Sequence, residues 1–224
     1  MNTINIDQII RTDRKTIALI VGRDGKLMVR APKDATNEQI LSVVERKSAW
    51  IVKKQQEVIA TYPQIGEKEF VNGEGFLYLG ESYRLKIIDR GEIPLRLDDF
   101  FFLDRNVLFQ AKEVFIHWYK EKANEVISER VAWYSDKMGI QVKQIKITSA
   151  TTRWGSCSAK GTVSFPWRLV MAPEEVIDYV LLHELVHLEI QNHSKAFWSR
   201  LASILPNYKE YRDWLKKNGK RLII

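Results

Sequence analysis

The segment 174–190 constrains the fold of this chain most, because it predicts a helix with apolar residues on nearly every side. Pro173 at the first helical position, followed by Glu174 and Glu175 in the first turn, is a typical helix start. A helix that is apolar all round is buried. The rest of the C-terminal half must therefore pack around this segment. Its apolar residues are Val176, Ile177, Tyr179, Val180, Leu181, Leu182, Leu185, Val186, Leu188 and Ile190.

The polar residues of the same segment form an HExxH pattern, His183-Glu184-Leu185-Val186-His187, and His193 follows six residues later. Residues four apart on a helix lie about 40° from each other, so His183 and His187 project from one face. Glu184 flanks that face. Three imidazoles can hold Zn²⁺ and leave a fourth position for water. The pattern predicts one Zn²⁺ per chain, bound by His183, His187 and His193, with Glu184 as the general base.

His193 can reach the same ion only if the helix ends before it, because six helical residues would turn it about 240° away from His187. We expect a break over 191–194, with Asn192 at the C-terminal cap and Ser194 as the next N-cap. The spacing matches the metzincin pattern HExxHxxGxxH except that Ile190 replaces the glycine, which predicts a slightly later turn. A third ligand from Glu189, Asp178 or a carboxylate of the last helices is the alternative.

A buried helix whose polar residues are satisfied by other protein groups is the competing interpretation. Burying a carboxylate and two imidazoles is costly unless they are paired or bind an ion, so the full pattern favours the metal. The other two reactive residue types are predicted to be structural. His117 lacks a metal-spaced partner, and Cys157 is expected to be a small buried residue, since a catalytic thiol needs a neighbouring base.

The N-terminal half is predicted to be β-rich with one helix. Residues 16–21 and 26–31 form a predicted hairpin with Asp24-Gly25 at its tip, and Thr36 with Gln39 predicts a capping box. One helix is then expected to continue to about Ala60. The stretch 76–103 predicts three or four antiparallel strands, which places a domain boundary after residue 105.

The C-terminal half, 106–224, is predicted to be helical with a small sheet. Apolar residues at helical spacing predict one long helix from about Gln110 that ends at Gly139. A strand at 142–148 and a hairpin of 151–156 with 162–165 follow, and then three helices. The predicted class is α+β, with an N-terminal antiparallel sheet region and a helical catalytic domain.

Composition disfavours a disulfide scaffold, a secreted protein and a membrane-spanning protein. The single Cys157 cannot form an internal disulfide, which favours a reducing, cytoplasmic setting, and neither a leader nor an 18-residue apolar run is apparent. The 35 Lys and Arg against 28 Asp and Glu give a net charge of +7. The last 17 residues carry +4 of it, which suits a solvated terminal helix or a nucleic-acid contact.

Six motifs stand out in the C-terminal half of the chain: Arg153-Trp154-Gly155-Ser156-Cys157-Ser158, Trp167-Arg168-Leu169, Ala172-Pro173, Asp178-Tyr179-Val180, His183-Glu184-Leu185-Val186-His187-Leu188 and Asn192-His193-Ser194-Lys195-Ala196-Phe197-Trp198. With these motifs, and with the N-terminal strand from Gly25 to Pro32 and Trp50, nearly the whole chain resembles the YgjP-like family of predicted zinc metallopeptidases, which is related to the SprT-like and WLM zincins. The resemblance implies a zincin-like domain with His183, His187 and His193 as ligands and Glu184 as the base.

The segment 153–158 is expected to border a substrate cleft as a strand beside the metal. Gly155 within a strand marks close approach of another group, and Trp154 places a large ring beside it. In zincins an extended substrate pairs with an edge strand above the active-site helix, so the resemblance implies substrate contacts for Arg153, Trp154 and Gly155. A structural ion pair of Arg153 with Asp178 or Glu175 is the alternative.

The predicted function is a zinc-dependent hydrolase that cleaves a peptide or protein substrate. The rival from another class is a nucleic-acid-associated protein with a structural zinc and a basic C-terminal helix. Hydrolysis of a non-peptide amide at the same metal is a third hypothesis.

Overall fold

The computed structural model describes residues 4–22, 25–61 and 68–224. The chain forms two compact units, 1–66 and 67–224. The sequence places the boundary at 105 instead, which would separate the strands before that point from the helices after it. The structure joins them because Phe76 and Phe101 pack in one core with Phe115 and Tyr119 of the long helix.

The first unit contains a three-stranded mixed sheet in the order β1-β3-β2. The central strand β3 pairs antiparallel with β2, as the predicted hairpin requires, and parallel with β1, which the sequence did not predict. The tip of that hairpin at 23–24 lies outside the described residues. The strands are β1 (Gln8–Thr12), β2 (Ala18–Val21) and β3 (Leu27–Pro32).

Two helices follow this sheet in the chain, α1 (Asn37–Arg46) and α2 (Ser48–Thr61). The capping box is confirmed: the Thr36 hydroxyl accepts from the Gln39 amide, and the Gln39 side chain accepts from the Thr36 amide. The single predicted helix is wrong, because Lys47 leaves the helical conformation and divides it. The apolar residues of the predicted face are nevertheless buried in both helices.

The second unit begins with a four-stranded sheet in the order β4-β5-β7-β6. Its strands are β4 (Gly75–Tyr78), β5 (Glu81–Ile88), β6 (Leu95–Leu97) and β7 (Phe101–Asp104). The expectation of a purely antiparallel sheet is wrong for β5 and β7, which are parallel. The cause is the short edge strand β6, which reverses the chain once before β7 returns beside β5.

A short 3-10 helix, Arg105–Gln110, leads into the long helix α3 (Ala111–Met138). Gly139 ends α3 in the left-handed conformation with φ of 67°, as predicted, because a residue without Cβ adopts that backbone without strain. One face of α3 is buried against the four-stranded sheet and the C-terminal helices. Its buried residues are Ala111, Phe115, Trp118, Tyr119, Ala123, Ile127 and Val131.

A third sheet, in the order β8-β10-β9, precedes the last helices. Its strands are β8 (Gln144–Thr148), β9 (Ser156–Cys157) and β10 (Thr162–Pro166), with β8 and β10 parallel. The predicted strand over 151–156 is shorter and later in the structure. Residues 153–155 precede the edge strand β9 and are not part of it.

A second 3-10 helix, Trp167–Met171, leads to the three predicted helices α4 (Glu174–Glu189), α5 (Lys195–Ile204) and α6 (Tyr208–Asn218). Pro173 stands one position earlier than expected, as the N-cap of α4. Helix α4 is buried on nearly all sides, as its sequence predicts, and the α+β class is confirmed. Within the described ranges no helix is both long and apolar enough to span a membrane.

Candidate metal centre

Three imidazoles converge at the C-terminal end of α4. Nε2 of His193 lies 3.0 Å from Nε2 of His183 and 3.1 Å from Nε2 of His187. The ligand atoms of all three residues lie within 4.8 Å of one another. Among the described residues, this group contains the three histidines and no carboxylate or thiol.

The donor set fits a tetrahedral metal ion. Two nitrogens each about 2.0–2.1 Å from a tetrahedral ion lie about 3.3 Å apart, close to the two observed spacings. Metal binding needs neutral imidazoles. Burial, together with the charges of its two neighbours, lowers the pKa of His183 to about 4, and burial and His187 lower the pKa of His193. These rings are therefore kept in the form that binds a metal.

The chain reaches His193 by leaving the helix at Ile190. Helix α4 ends at Glu189, and Ile190 adopts an extended backbone with φ of −129° and ψ of 104°. The expected later turn capped by Asn192 is wrong. An extended residue needs no positive φ, so the position tolerates isoleucine where metzincins use glycine. Ser194 then caps α5, as predicted, by accepting from the Phe197 amide.

The turn also orients the second histidine. Nδ1 of His187 lies 3.1 Å from the carbonyl oxygen of Ile190, which fixes Nδ1 as the protonated nitrogen and leaves Nε2 free to bind the ion. The Gln191 side-chain amide donates to the His187 carbonyl oxygen at 2.9 Å and closes the end of α4. The same few residues thus end the helix and set the tautomer of His187.

The Phe197 ring packs against all three imidazoles. Its fully buried ring lies with its centroid 4.4–4.9 Å from those of His183, His187 and His193. Trp198 of the same helix stacks on His193 at 5.5 Å. Since close packing restricts rotamers, α5 holds the rings in place before any ion binds.

Glu184 is only 7% exposed and lies beside the histidines on α4. Burial raises the pKa of its carboxyl group to about 7, and the positive charge of Arg153 acts against that rise. Gly155 leaves the space that the carboxylate occupies. A Cβ at Gly155 would lie 2.5 Å from Oε1 of Glu184 and 2.6 Å from its Cγ.

A pocket of about 330 Å³ opens beside His183 and Glu184. One wall comes from the segment before β9, a second from α4 and a third from the C-terminal helix α6. The volume is at the lower end of the range usual for ligand pockets. The lining residues are Trp154, Gly155, Tyr179, Val180, His183, Glu184, Arg212, Leu215 and Lys216.

The structure brings the expected site residues into one region. Trp154 and Gly155 line the pocket, whereas Arg153 is exposed and acts on Glu184 through its charge. The ion pair considered for Arg153 with Asp178 is not formed, because Asp178 is engaged by Arg130. That guanidinium lies 2.6 Å from Asp178 and 2.5 Å from Glu174.

Three further reactive side chains have surroundings that do not favour a catalytic or ligand role. Glu189, considered as a ligand in place of His193, accepts two hydrogen bonds from Arg200 at 2.8 and 3.0 Å. His117 is exposed and lies 3.3 Å from Glu121 on its own helix. Cys157 is half-buried in β9, and burial and the nearby Glu184 raise the pKa of its thiol, which disfavours a reactive thiolate.

The sequence did not predict three contributors to this region: Phe197 under the imidazoles, and Arg212 and Lys216 in the pocket wall. The spacing of Arg212 and Lys216, four residues apart on an amphipathic helix, shows that they share a face. It does not show what that face borders. Phe197 stands four residues after His193, and nothing in the sequence pattern indicates that its ring packs against the imidazoles.

A family model for the YgjP-like metallopeptidase domain matches residues 15–218 of the chain. The chain therefore belongs to the YgjP-like family. A search of curated proteins found no match.

Among solved structures, one similar chain is the metallopeptidase zymogen of Pyrococcus abyssi abylysin. The two sequences are 26% identical, and the alignment covers 40% of this chain and 90% of that chain with a TM-score of 0.37.

Proposed function

We propose that this protein is a zinc-dependent peptidase, with His183, His187 and His193 as the metal ligands and Glu184 as the general base. The observation that carries the proposal is the convergence of three Nε2 atoms beside a buried carboxylate from the same helix. The family match to a metallopeptidase domain supports it.

Three imidazoles suit Zn²⁺, which, when bound, would act as a Lewis acid toward water and the scissile carbonyl. Glu184 takes the proton from the attacking water and passes it to the leaving amine. Its position suits the task, because HExxH places the carboxylate about 60° from His187 around the helix and beside the ligands. The backbone of Gly155 closes the other side of the carboxylate and restricts its movement.

The segment before β9 is proposed to hold the substrate. β9 is one of the two edge strands of its sheet, so its outer backbone groups can pair with an extended peptide. Trp154 and Gly155 lead from that edge to Glu184, so a peptide main chain paired with β9 would run toward the proposed base. Such pairing holds a peptide without reading much of its sequence.

The test is the substitution Glu184→Gln in zinc-loaded full-length protein, assayed on a peptide library by mass spectrometry. We expect full zinc content, an unchanged melting temperature and a loss of cleavage of about 10²-fold or more, the scale of general-base catalysis. Glu175→Gln, an exposed carboxylate in the first turn of α4, is the matched control and should cleave normally. Turnover within a few-fold of wild type in Glu184→Gln would refute the proposed role, and loss of zinc would make Glu184 a ligand.

A further inference from the structure

The pocket beside His183 and Glu184 carries more positive charge than a peptide main chain requires. Arg212 and Lys216 enter its wall from α6, one helical turn apart. Glu184 is the one carboxylate among the lining residues. A third cation, Arg153, directly precedes Trp154 of the lining and is exposed.

The two α6 cations are not neutralised by neighbouring acids. Arg212 has a single carboxylate at the limit of ion-pair distance, Asp213 at 4.0 Å. For Lys216, no carboxylate of the described residues lies within 4.0 Å. Both side chains are exposed at the pocket mouth, whereas Arg130 and Arg200 in the same unit are each paired with α4 carboxylates.

The remaining walls would give a charged group a defined place. Val180 and Leu215 are buried apolar residues, and the Trp154 ring covers one side. That ring is fixed against the end of α6, since a Cβ at Gly219 would lie 2.9 Å from its Cζ2 atom. A charge pair in such a recess is less screened by salt than one on an open surface.

We propose that this pocket is a specificity subsite for a carboxylate of the substrate, held by Arg212 and Lys216. The inference rests on the proposed peptidase function, because the pocket adjoins the residues that would cleave the peptide bond. Arg212 suits a two-pronged contact with a carboxylate, and Lys216 adds a point charge one turn further along α6. Tyr179, whose hydroxyl can donate a hydrogen bond, is also a lining residue.

The carboxylate has two sources in a peptide, an Asp or Glu side chain near the scissile bond or the free C-terminus. A nucleic-acid phosphate is disfavoured, since a backbone needs a groove that follows several phosphates. Here only two of the six basic residues after Tyr208 line the pocket. Lys209, Lys217, Lys220 and Arg221 are not among its lining residues.

The test uses zinc-loaded Glu184→Gln protein, which should bind peptides without cleaving them, on an affinity resin. Random octapeptides are applied in two forms, with a free C-terminus and with a C-terminal amide, and mass spectrometry identifies those retained. We expect a carboxylate to enrich a peptide roughly tenfold, the effect of one charge-assisted contact. The comparison is with the same peptide carrying Asn or Gln for Asp or Glu, or a C-terminal amide for the free C-terminus. Enrichment in both libraries would identify a side chain as the source, and enrichment confined to the free acids would identify the C-terminus.

Charge changes at Arg212 and Lys216 then test the two residues. Added to the Glu184→Gln protein, Lys216→Glu should abolish the preference for carboxylates and favour peptides with Lys or Arg. Arg212→Gln should weaken the preference for carboxylates. Lys217→Glu makes the same charge change one residue away, outside the pocket lining, and should leave the preference intact. The proposal is overturned if no carboxylate preference exists, if both pocket variants retain it, or if Lys217→Glu removes it equally. It is also overturned if these variants instead lose salt-sensitive binding of a 20-base-pair DNA duplex.

The proposed function fails by a different result. If wild-type zinc protein leaves the same library uncleaved while the Glu184→Gln resin still enriches acidic peptides, carboxylate binding by the pocket stands and the peptidase assignment falls.

Discussion

The backbone of Gly155 lies against the carboxylate of Glu184, so closely that a Cβ at position 155 would meet three atoms of that side chain within 2.8 Å. Such contacts are shorter than any stable structure allows, so one partner must move. Gly155 belongs to a loop anchored by β9 and Glu184 to a buried helix, which leaves the carboxylate itself as the group that shifts.

We therefore expect Gly155→Ala to reduce cleavage by roughly tenfold or more, since small misplacements of a catalytic group are costly to the rate. Zinc content should stay at wild-type level, because the three atoms nearest to the added Cβ all belong to Glu184 and none to a histidine. Ala159→Val, which enlarges an exposed residue of the turn on the other side of β9, is the control. Unchanged kcat in Gly155→Ala would show that Glu184 does not act from its observed position.

His193→Ala should lower zinc stoichiometry and thermal stability together, because binding to the native state adds to the free energy of unfolding. An ion present at 1,000 times its Kd contributes about 4 kcal/mol. Metal analysis and thermal melts with and without a chelator measure both effects. His117→Ala, which alters the exposed histidine of α3, should behave as wild type. Full zinc content in His193→Ala would remove that residue from the ligand set.

Phe197→Ala should destabilise the protein by about 3–5 kcal/mol, the usual cost of removing a buried phenylalanine ring. It should also weaken zinc binding, since the ring packs against all three imidazoles. Denaturant unfolding and competition with a zinc chelator measure the two quantities. Phe197→Leu fills most of the volume and should lose less of each. Wild-type zinc affinity in a folded Phe197→Ala protein would show that the rings need no support from α5.

Asp104 gives a pH-dependent prediction away from the site. Hydrogen bonds from the backbone amides of Gly91 and Asn106, at 3.0 and 2.8 Å, hold its pKa below the usual value. A lowered folded-state pKa stabilises the protein above the unfolded-state value of about 3.9, and this stabilisation is lost as pH falls through the folded-state value. Asp104→Asn should thus be less stable than wild type at pH 7, with the difference shrinking below pH 4 in urea unfolding. A constant difference across that range would contradict the assignment.

Local patterns in the sequence determined the elements that carry the site. The buried helix α4, the spacing of His183 and His187, the Ser194 cap and the left-handed Gly139 each depend on residues within one or two helical turns, where the 3.6-residue period sets geometry. The need for His193 to return toward the same ion follows from the same arithmetic. These features could be predicted because their physical causes lie close together in the chain.

Tertiary structure decided the rest. The placement of α6, which brings Arg212 and Lys216 beside Glu184, and the parallel pairs β1 with β3 and β5 with β7 join segments far apart in sequence. So does the contact of Gly155 with Glu184, 29 residues later. Such contacts depend on how whole elements pack, and many packings satisfy the same apolar periodicity. The helix spacing therefore defined the chemistry of the candidate centre, and the fold defined the pocket beside it.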